Sequence, residues 1–205
     1  MNWRLNKIQY PIYNLGAGKR IGIWVQGCTL ACDGCINEMI WSKKKGKSIA
    51  VYDLYQFIES ISEGYDGVTI SGGEPFQQYE QLIAFCYLIK TRTKLNIHCF
   101  TGYEIEELEA LFLDKLFFNY IDYLVDGRYV KELHSNNNLF GSSNQKMYFM
   151  DGGKAKEIQP TIKKNRWSLS VTNDGSIYMA GIPKAKEIEK IEQSLRDIGI
   201  IKKFK

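Results

Sequence analysis

Cys28, Cys32 and Cys35 lie within eight residues of one another in the spacing C-x3-C-x2-C, directly after an apolar run, 21–25, that reads as a buried strand. Three thiolates this close can share one metal centre. A tetrahedral structural zinc needs four ligands, and the nearest histidine, His98, is more than sixty residues from Cys35 with no partner at zinc spacing. Zinc is therefore the weaker reading. A cubane iron–sulfur cluster takes one cysteine per iron, so three cysteines leave one iron without a protein ligand, open to a substrate or cofactor. The blander alternative treats the cysteines as small buried apolar residues, and their clustering argues against it.

The chain around this loop alternates between strand and helix patterns. Residues 8–13 read as a first, edge strand, because Pro11 cannot donate to a central ladder, and 14–19 read as a turn. The near-continuous apolar run 21–25 suits a parallel sheet covered on both faces. The cysteine loop leaves its C-terminal end, where ligands collect in parallel sheets and barrels. In 51–62, Leu54, Phe57, Ile58 and Ile61 mark one helical face, with Asp53 in the first turn where a negative charge is favoured. Strand 67–71 runs into Gly72-Gly73-Glu74-Pro75. Two glycines let the backbone approach a ligand, Glu74 supplies an acceptor for a cation, and Pro75 stiffens the exit.

Residues 79–91 carry Leu82, Ile83, Cys86, Tyr87 and Ile89 at helical spacing, which makes Cys86 a core residue. In strand 95–100, His98 and Cys99 read as packed residues without chemistry. A helix over 105–113 begins with Glu104, Glu106 and Glu107, and strand 121–126 ends in Gly127-Arg128. This alternation predicts an α/β fold with a parallel sheet, at this length an open, partial β/α barrel.

Beyond residue 150 the pattern changes. Segments 167–171 and 176–180 flank Thr172-Asn173-Asp174-Gly175 and predict a β-hairpin, followed by a helix over 184–198 with Ile188, Ile191, Leu195 and Ile198 on one face. The expected organisation is a core, 1–149, and a small α+β C-terminal extension, 150–205, which suits a chain of 205 residues. No run of eighteen apolar residues is present to span a membrane. The first residues lack a signal-peptide pattern, and five cysteines with three clustered suit a reducing compartment, so a cytoplasmic location is expected. The net charge of +4 is modest, and the lysines at 43–45 and 47 read as a solvated loop. Lys184, Lys186 and Lys190 on the last helix read as a solvated face. Without a nucleic-acid module, no nucleic-acid partner is expected.

The cysteine loop followed by Ser71-Gly72-Gly73-Glu74-Pro75 resembles the radical S-adenosylmethionine (SAM) enzymes. Adding Trp41, the segments 100–103 (Phe-Thr-Gly-Tyr), 124–129 (Leu-Val-Asp-Gly-Arg-Tyr) and 141–145 (Gly-Ser-Ser-Asn-Gln) narrows the resemblance to the anaerobic ribonucleotide reductase activating proteins. That resemblance covers roughly residues 8–147. It implies the radical SAM type of partial barrel, a [4Fe-4S] cluster held by Cys28, Cys32 and Cys35, and SAM at the open iron. The SAM site would be lined by Gly34, Cys35, Ile36 and Asn37 and by Gly72, Gly73, Glu74 and Pro75. It implies a glycyl-radical protein as partner, an anaerobic ribonucleotide reductase, and an electron donor such as flavodoxin or ferredoxin.

Two departures stand out. Asp33 occupies the position after the second cysteine that often carries an apolar or aromatic residue, which leaves adenine packing to a residue such as Ile36. The chain also continues about sixty residues beyond the Ser-Ser-Asn-Gln segment. Two other readings stay open: a radical SAM enzyme that modifies another protein, a peptide or a small molecule, and a non-catalytic iron–sulfur module for electron transfer or docking.

Overall fold

The computed structural model describes residues 1–135, 139–160, 167–171, 177–181, 185–197 and 199, with 168–171, 177–178 and 185–188 described by backbone alone. Its centre is the apolar strand before the cysteines. Strand β2 (Arg20–Val25) is buried along its whole length, as a central parallel strand requires. It follows β1 (Asn2–Ile12) and precedes β3 (Lys47–Ala50), α1 (Val51–Ser60), β4 (Gly67–Gly72), α2 (Tyr79–Arg92), β5 (Asn96–Phe100), α3 (Ile105–Leu111), α4 (Phe117–Tyr120) and β6 (Tyr123–Asp126). Then come β7 (Lys146–Asp151), β8 (Lys154–Ile158), β9 (Trp167–Val171), β10 (Ile177–Gly181) and α5 (Ala185–Asp197).

Eight strands form one mixed, open sheet in the order β3-β1-β2-β4-β5-β6-β7-β8. Strands β2, β4, β5 and β6 run parallel, and antiparallel pairs extend the sheet on both sides. The parallel strands therefore release their C-terminal loops on one edge. Side chains alternate across the sheet: Ile21, Ile23, Val25, Val68, Ile70, Ile97, Cys99 and Leu124 enter the main core with Leu54, Ile58, Leu82, Phe85, Ile89 and Phe117 from the helices. Burying each such aliphatic side chain is worth about 1.5–3 kcal/mol.

The opposite face is polar at one end and apolar at the other. Arg20, 1% exposed, donates to Thr69 Oγ1 at 2.6 Å, Asn96 Oδ1 at 2.7 Å, Val68 O at 2.7 Å and Ala17 O at 3.0 Å. These bonds offset the cost of burying a guanidinium. Further along, Trp24 packs with Ile12, Leu15 and Ala180. Strands β9 and β10 pair antiparallel from Trp167↔Gly181 to Val171↔Ile177, so the expected hairpin strands are present. Its Asp-Gly turn lies outside the described residues, as do the loop at 136–138, Lys184 and Ile198, and the side chains of Lys186 and Ile188 are likewise undescribed.

Several expectations are corrected. Strand β1 begins at Asn2 rather than residue 8, and the added stretch Asn2–Leu5 is interior, paired with β3; over the expected stretch, where Pro11 lies, it is open on that side among the described strands, as an edge is. The buried face of α1 is Val51, Leu54, Tyr55 and Ile58. Phe57 stays 39% exposed against the Tyr10 ring, and Tyr87 of α2 is 48% exposed against Tyr120. Both rings cover the border of a core rather than enter it, as amphipathic periodicity alone does not distinguish.

His98 is 1% exposed, stacks on Phe100 at 5.0 Å, and its Nε2 has no hydrogen-bond partner among the described residues. Burial, with Arg20 adding, holds its pKa down to about 3. The unfolded histidine takes a proton near pH 6.5, so the stability held by the neutral ring is complete above that pH and drains as pH falls toward the folded value. Urea unfolding between about pH 7.5 and 5.5 is expected to show a decline of up to about 1.4 kcal/mol per pH unit that His98→Gln loses; equal slopes for the two proteins would refute it.

Candidate functional site

The loop after β2 is shaped by its backbone before any ligand is considered. Cys32 follows Ala31 at φ 50°, and Cys35 follows Gly34 at φ 70°, so two left-handed residues turn the chain back on itself between the thiols. The loop is closed at its base: Gly27 N donates to Ile40 O at 2.8 Å and Cys28 N to Trp41 O at 3.0 Å. Gln26 Nε2 reaches Ile40 O at 3.1 Å and Ser42 O at 2.8 Å. Thr29 N donates to Gln77 Oε1 at 3.1 Å, and Gln77 Nε2 returns a bond to Thr29 Oγ1 at 2.7 Å.

The loop after β4 continues the parallel ladder into this turn. Gly73 N donates to Val25 O at 2.8 Å and Glu74 N to Gly27 O at 2.9 Å. A Cβ on Gly73 would sit 2.2 Å from the Gly27 carbonyl oxygen, and one on Gly72 2.6 Å from Val25 N. These glycines are thus required by contact between the two loops, beyond the ligand approach expected from sequence.

Glu74, 1% exposed, accepts from Thr101 Oγ1 at 2.8 Å, Gly102 N at 2.8 Å and Phe76 N at 3.0 Å. Burial, working against those bonds and the field of Arg128, pushes its carboxyl up to about 7. Its protein partners are neutral donors, and through them it ties the β4 loop to the β5 loop. The β6 loop is latched in turn: Gln145 Oε1 accepts from Gly141 N at 2.7 Å, and Gln145 Nε2 donates to Gly127 O at 2.8 Å.

These loops surround a cleft of about 820 Å³ at the C-terminal edge of the parallel strands. Cys28, Cys32, Cys35, Gly34, Ile36 and Asn37 line it from one loop, and Gly72, Gly73 and Glu74 from the other. Pro75 does not; it is buried behind Glu74 as the first residue of a short 3-10 turn, Pro75–Gln78. Asp33 faces outward, with an exposed ion pair to Lys131 at 3.7 Å. Thr101 and Gly102 were missed as site residues, although their place directly after a parallel strand was itself a signal. Lys7 was missed as well: it lines the cleft with Nζ 4.7 Å from the Trp24 ring centre, and burial lowers its pKa.

The donor set fits an iron–sulfur cluster. All three loop cysteines are free thiols, partly exposed and in the wall of one cleft, whereas Cys86 and Cys99 are fully buried. Among the described residues no three His, Cys, Asp or Glu side chains stand together as ligands of a single ion, and a cluster binding one cysteine per iron does not need that convergence. Burial, with Glu74 and Cys32 adding, pushes the Cys28 thiol up, so iron binding there displaces a held proton.

Comparison with known proteins bears on the same segment. Residues 14–148 match the family described as 4Fe-4S single cluster domain. The anaerobic ribonucleoside-triphosphate reductase-activating protein of Enterobacteria phage T4 is 30% identical over 65% of this chain and 85% of its own length. That of Haemophilus influenzae is 32% identical over 69% of this chain and 96% of its own. A pyruvate formate-lyase-activating enzyme of Listeria monocytogenes is 37% identical over 37% of this chain and 32% of its own.

Two substitutions test the seam. Thr101→Val takes a donor from the buried Glu74 carboxyl and is expected to cost about 1–3 kcal/mol in urea unfolding. Gly73→Ala forces the loops apart and is expected to lower iron bound after anaerobic reconstitution as well. Wild-type iron content in Gly73→Ala would show that the contact does not shape the cysteine loop.

Proposed function

Because this chain belongs to the 4Fe-4S single cluster family and, within it, to the anaerobic ribonucleoside-triphosphate reductase-activating proteins, we propose that the cleft beside Cys28, Cys32 and Cys35 is where a glycine of an anaerobic ribonucleoside-triphosphate reductase becomes a radical. The protein is a radical SAM enzyme of the glycyl-radical-activating type, with a [4Fe-4S] cluster and SAM as cofactors. When bound, these supply one-electron cleavage of SAM to methionine and a 5′-deoxyadenosyl radical, which takes hydrogen from the partner's glycine.

The observation that carries the reading is the meeting of three free cysteines and the Gly72-Gly73-Glu74 backbone in one cleft at the strand ends. Cys28, Cys32 and Cys35 would hold the cluster and leave one iron for SAM. Gly34, Ile36 and Asn37, with the Gly72-Gly73-Glu74 backbone, would line SAM, and Pro75 would brace that backbone from behind. Ile36, 60% exposed in the cleft wall, offers the apolar surface that Asp33 does not. The chain's own work is to fix these groups and keep water from the reacting atoms.

We read the open mixed sheet as the partial β/α barrel of radical SAM enzymes, with residues 1–149 as its core and 150–205 as its extension. A flavodoxin or ferredoxin would supply the electron, in the cytoplasm, without a nucleic-acid or membrane partner. No described helix is long and apolar enough to cross a membrane.

Anaerobic reconstitution with iron and sulfide, reduction with dithionite and addition of SAM should yield 5′-deoxyadenosine and methionine from the wild type and none from Cys32→Ala. With the reductase present, electron paramagnetic resonance should detect a glycyl radical on it. A full cluster that leaves SAM intact would overturn the assignment.

A further inference from the structure

The family match ends at residue 148, yet the cleft does not. Met179, Ala180 and Gly181 of β10 line the same cleft as the cysteines. The strand is fixed there by a buried bond, Asn14 Nδ2 to Ala180 O at 2.6 Å, and by packing of Ala180, 2% exposed, with Ile12, Leu15 and Trp24. The cleft is therefore two-sided in chemistry. The cysteines and glycine backbone form one wall, and Leu15, Trp24, Met179 and Ala180 form an apolar wall, with the Lys7 cation beside Trp24.

Resting on the function proposed above, we propose that Met179–Gly181 is the substrate wall of the cleft, positioning the glycine-bearing peptide segment of the partner reductase. A glycine offers no side chain to recognise, so it is aligned through its backbone and its neighbours. Within β10, Met179-Ala180-Gly181 sets two small residues beside one methionine, which gives such a segment a flat surface and excludes water from it. Met179 is the adaptable contact on that wall, since an unbranched thioether conforms to irregular apolar surfaces. It is a positioning residue and takes no part in bond making.

The test measures, on the full-length reconstituted enzyme, the 5′-deoxyadenosine released per glycyl radical formed on the reductase. Met179→Ala should raise that ratio about tenfold and raise the reductase concentration needed for half-maximal activation, while Met179→Leu should restore both. A photocrosslinking residue at position 179 should give an adduct in the reductase segment that bears the glycine. If the wild type forms the radical but Met179→Ala keeps the wild-type ratio, or position 179 gives no adduct there, the wall is overturned. If the wild type cleaves SAM and forms no radical on the reductase, the functional reading falls and the wall with it.

Discussion

The cysteines owe their position to a backbone seam. Where β2 and β4 end, the ladder runs on for two more bonds, from Gly73 N to Val25 O and from Glu74 N to Gly27 O, and so enters the first turn of the cysteine loop. The seam closes only because residue 73 has no Cβ to strike the Gly27 carbonyl. Glu74 then carries the connection sideways to Thr101 and Gly102. Away from water each of these bonds is electrostatically stronger, and each unmade one costlier, so three strand-end loops behave as one rigid rim. A cluster site built on that rim inherits the rigidity of the sheet.

Much of this was legible in the sequence, for identifiable reasons. The central strands are continuous apolar runs because helices cover one face and loops and β10 the other. The cysteine spacing and the Ser-Gly-Gly-Glu-Pro segment stand out because both follow such runs directly. Less legible were elements without period or length: β3 has four residues, α4 has four, and β8 carries three charges in five residues along a sheet edge. Little near Arg20 announces its burial, since its partners Thr69, Val68 and Asn96 lie 49, 48 and 76 residues away. The partners of Glu74 in the β5 loop, Thr101 and Gly102, lie 27 and 28 residues away, a separation no periodicity reports.

The glycines and the extension show how a pattern carries more than one demand. Gly72 and Gly73 suit a ligand-binding loop, and the structure adds a second requirement, the close passage of two backbones. The hairpin at β9 and β10 appeared as a separate appendage from its change of pattern, yet β10 packs on Trp24 of the central strand and faces the cleft. Its role is set by where its residues return in space.

The central claim is that three cysteines leave one iron of a cubane cluster open to SAM at this rim. Electron–nuclear double resonance on the reduced cluster, with SAM labelled at its amino nitrogen and carboxylate oxygens, tests it most directly. The account predicts hyperfine coupling from both labels to the cluster, lost in Cys35→Ala. A reduced four-iron cluster showing no coupling to either label under saturating SAM would contradict it.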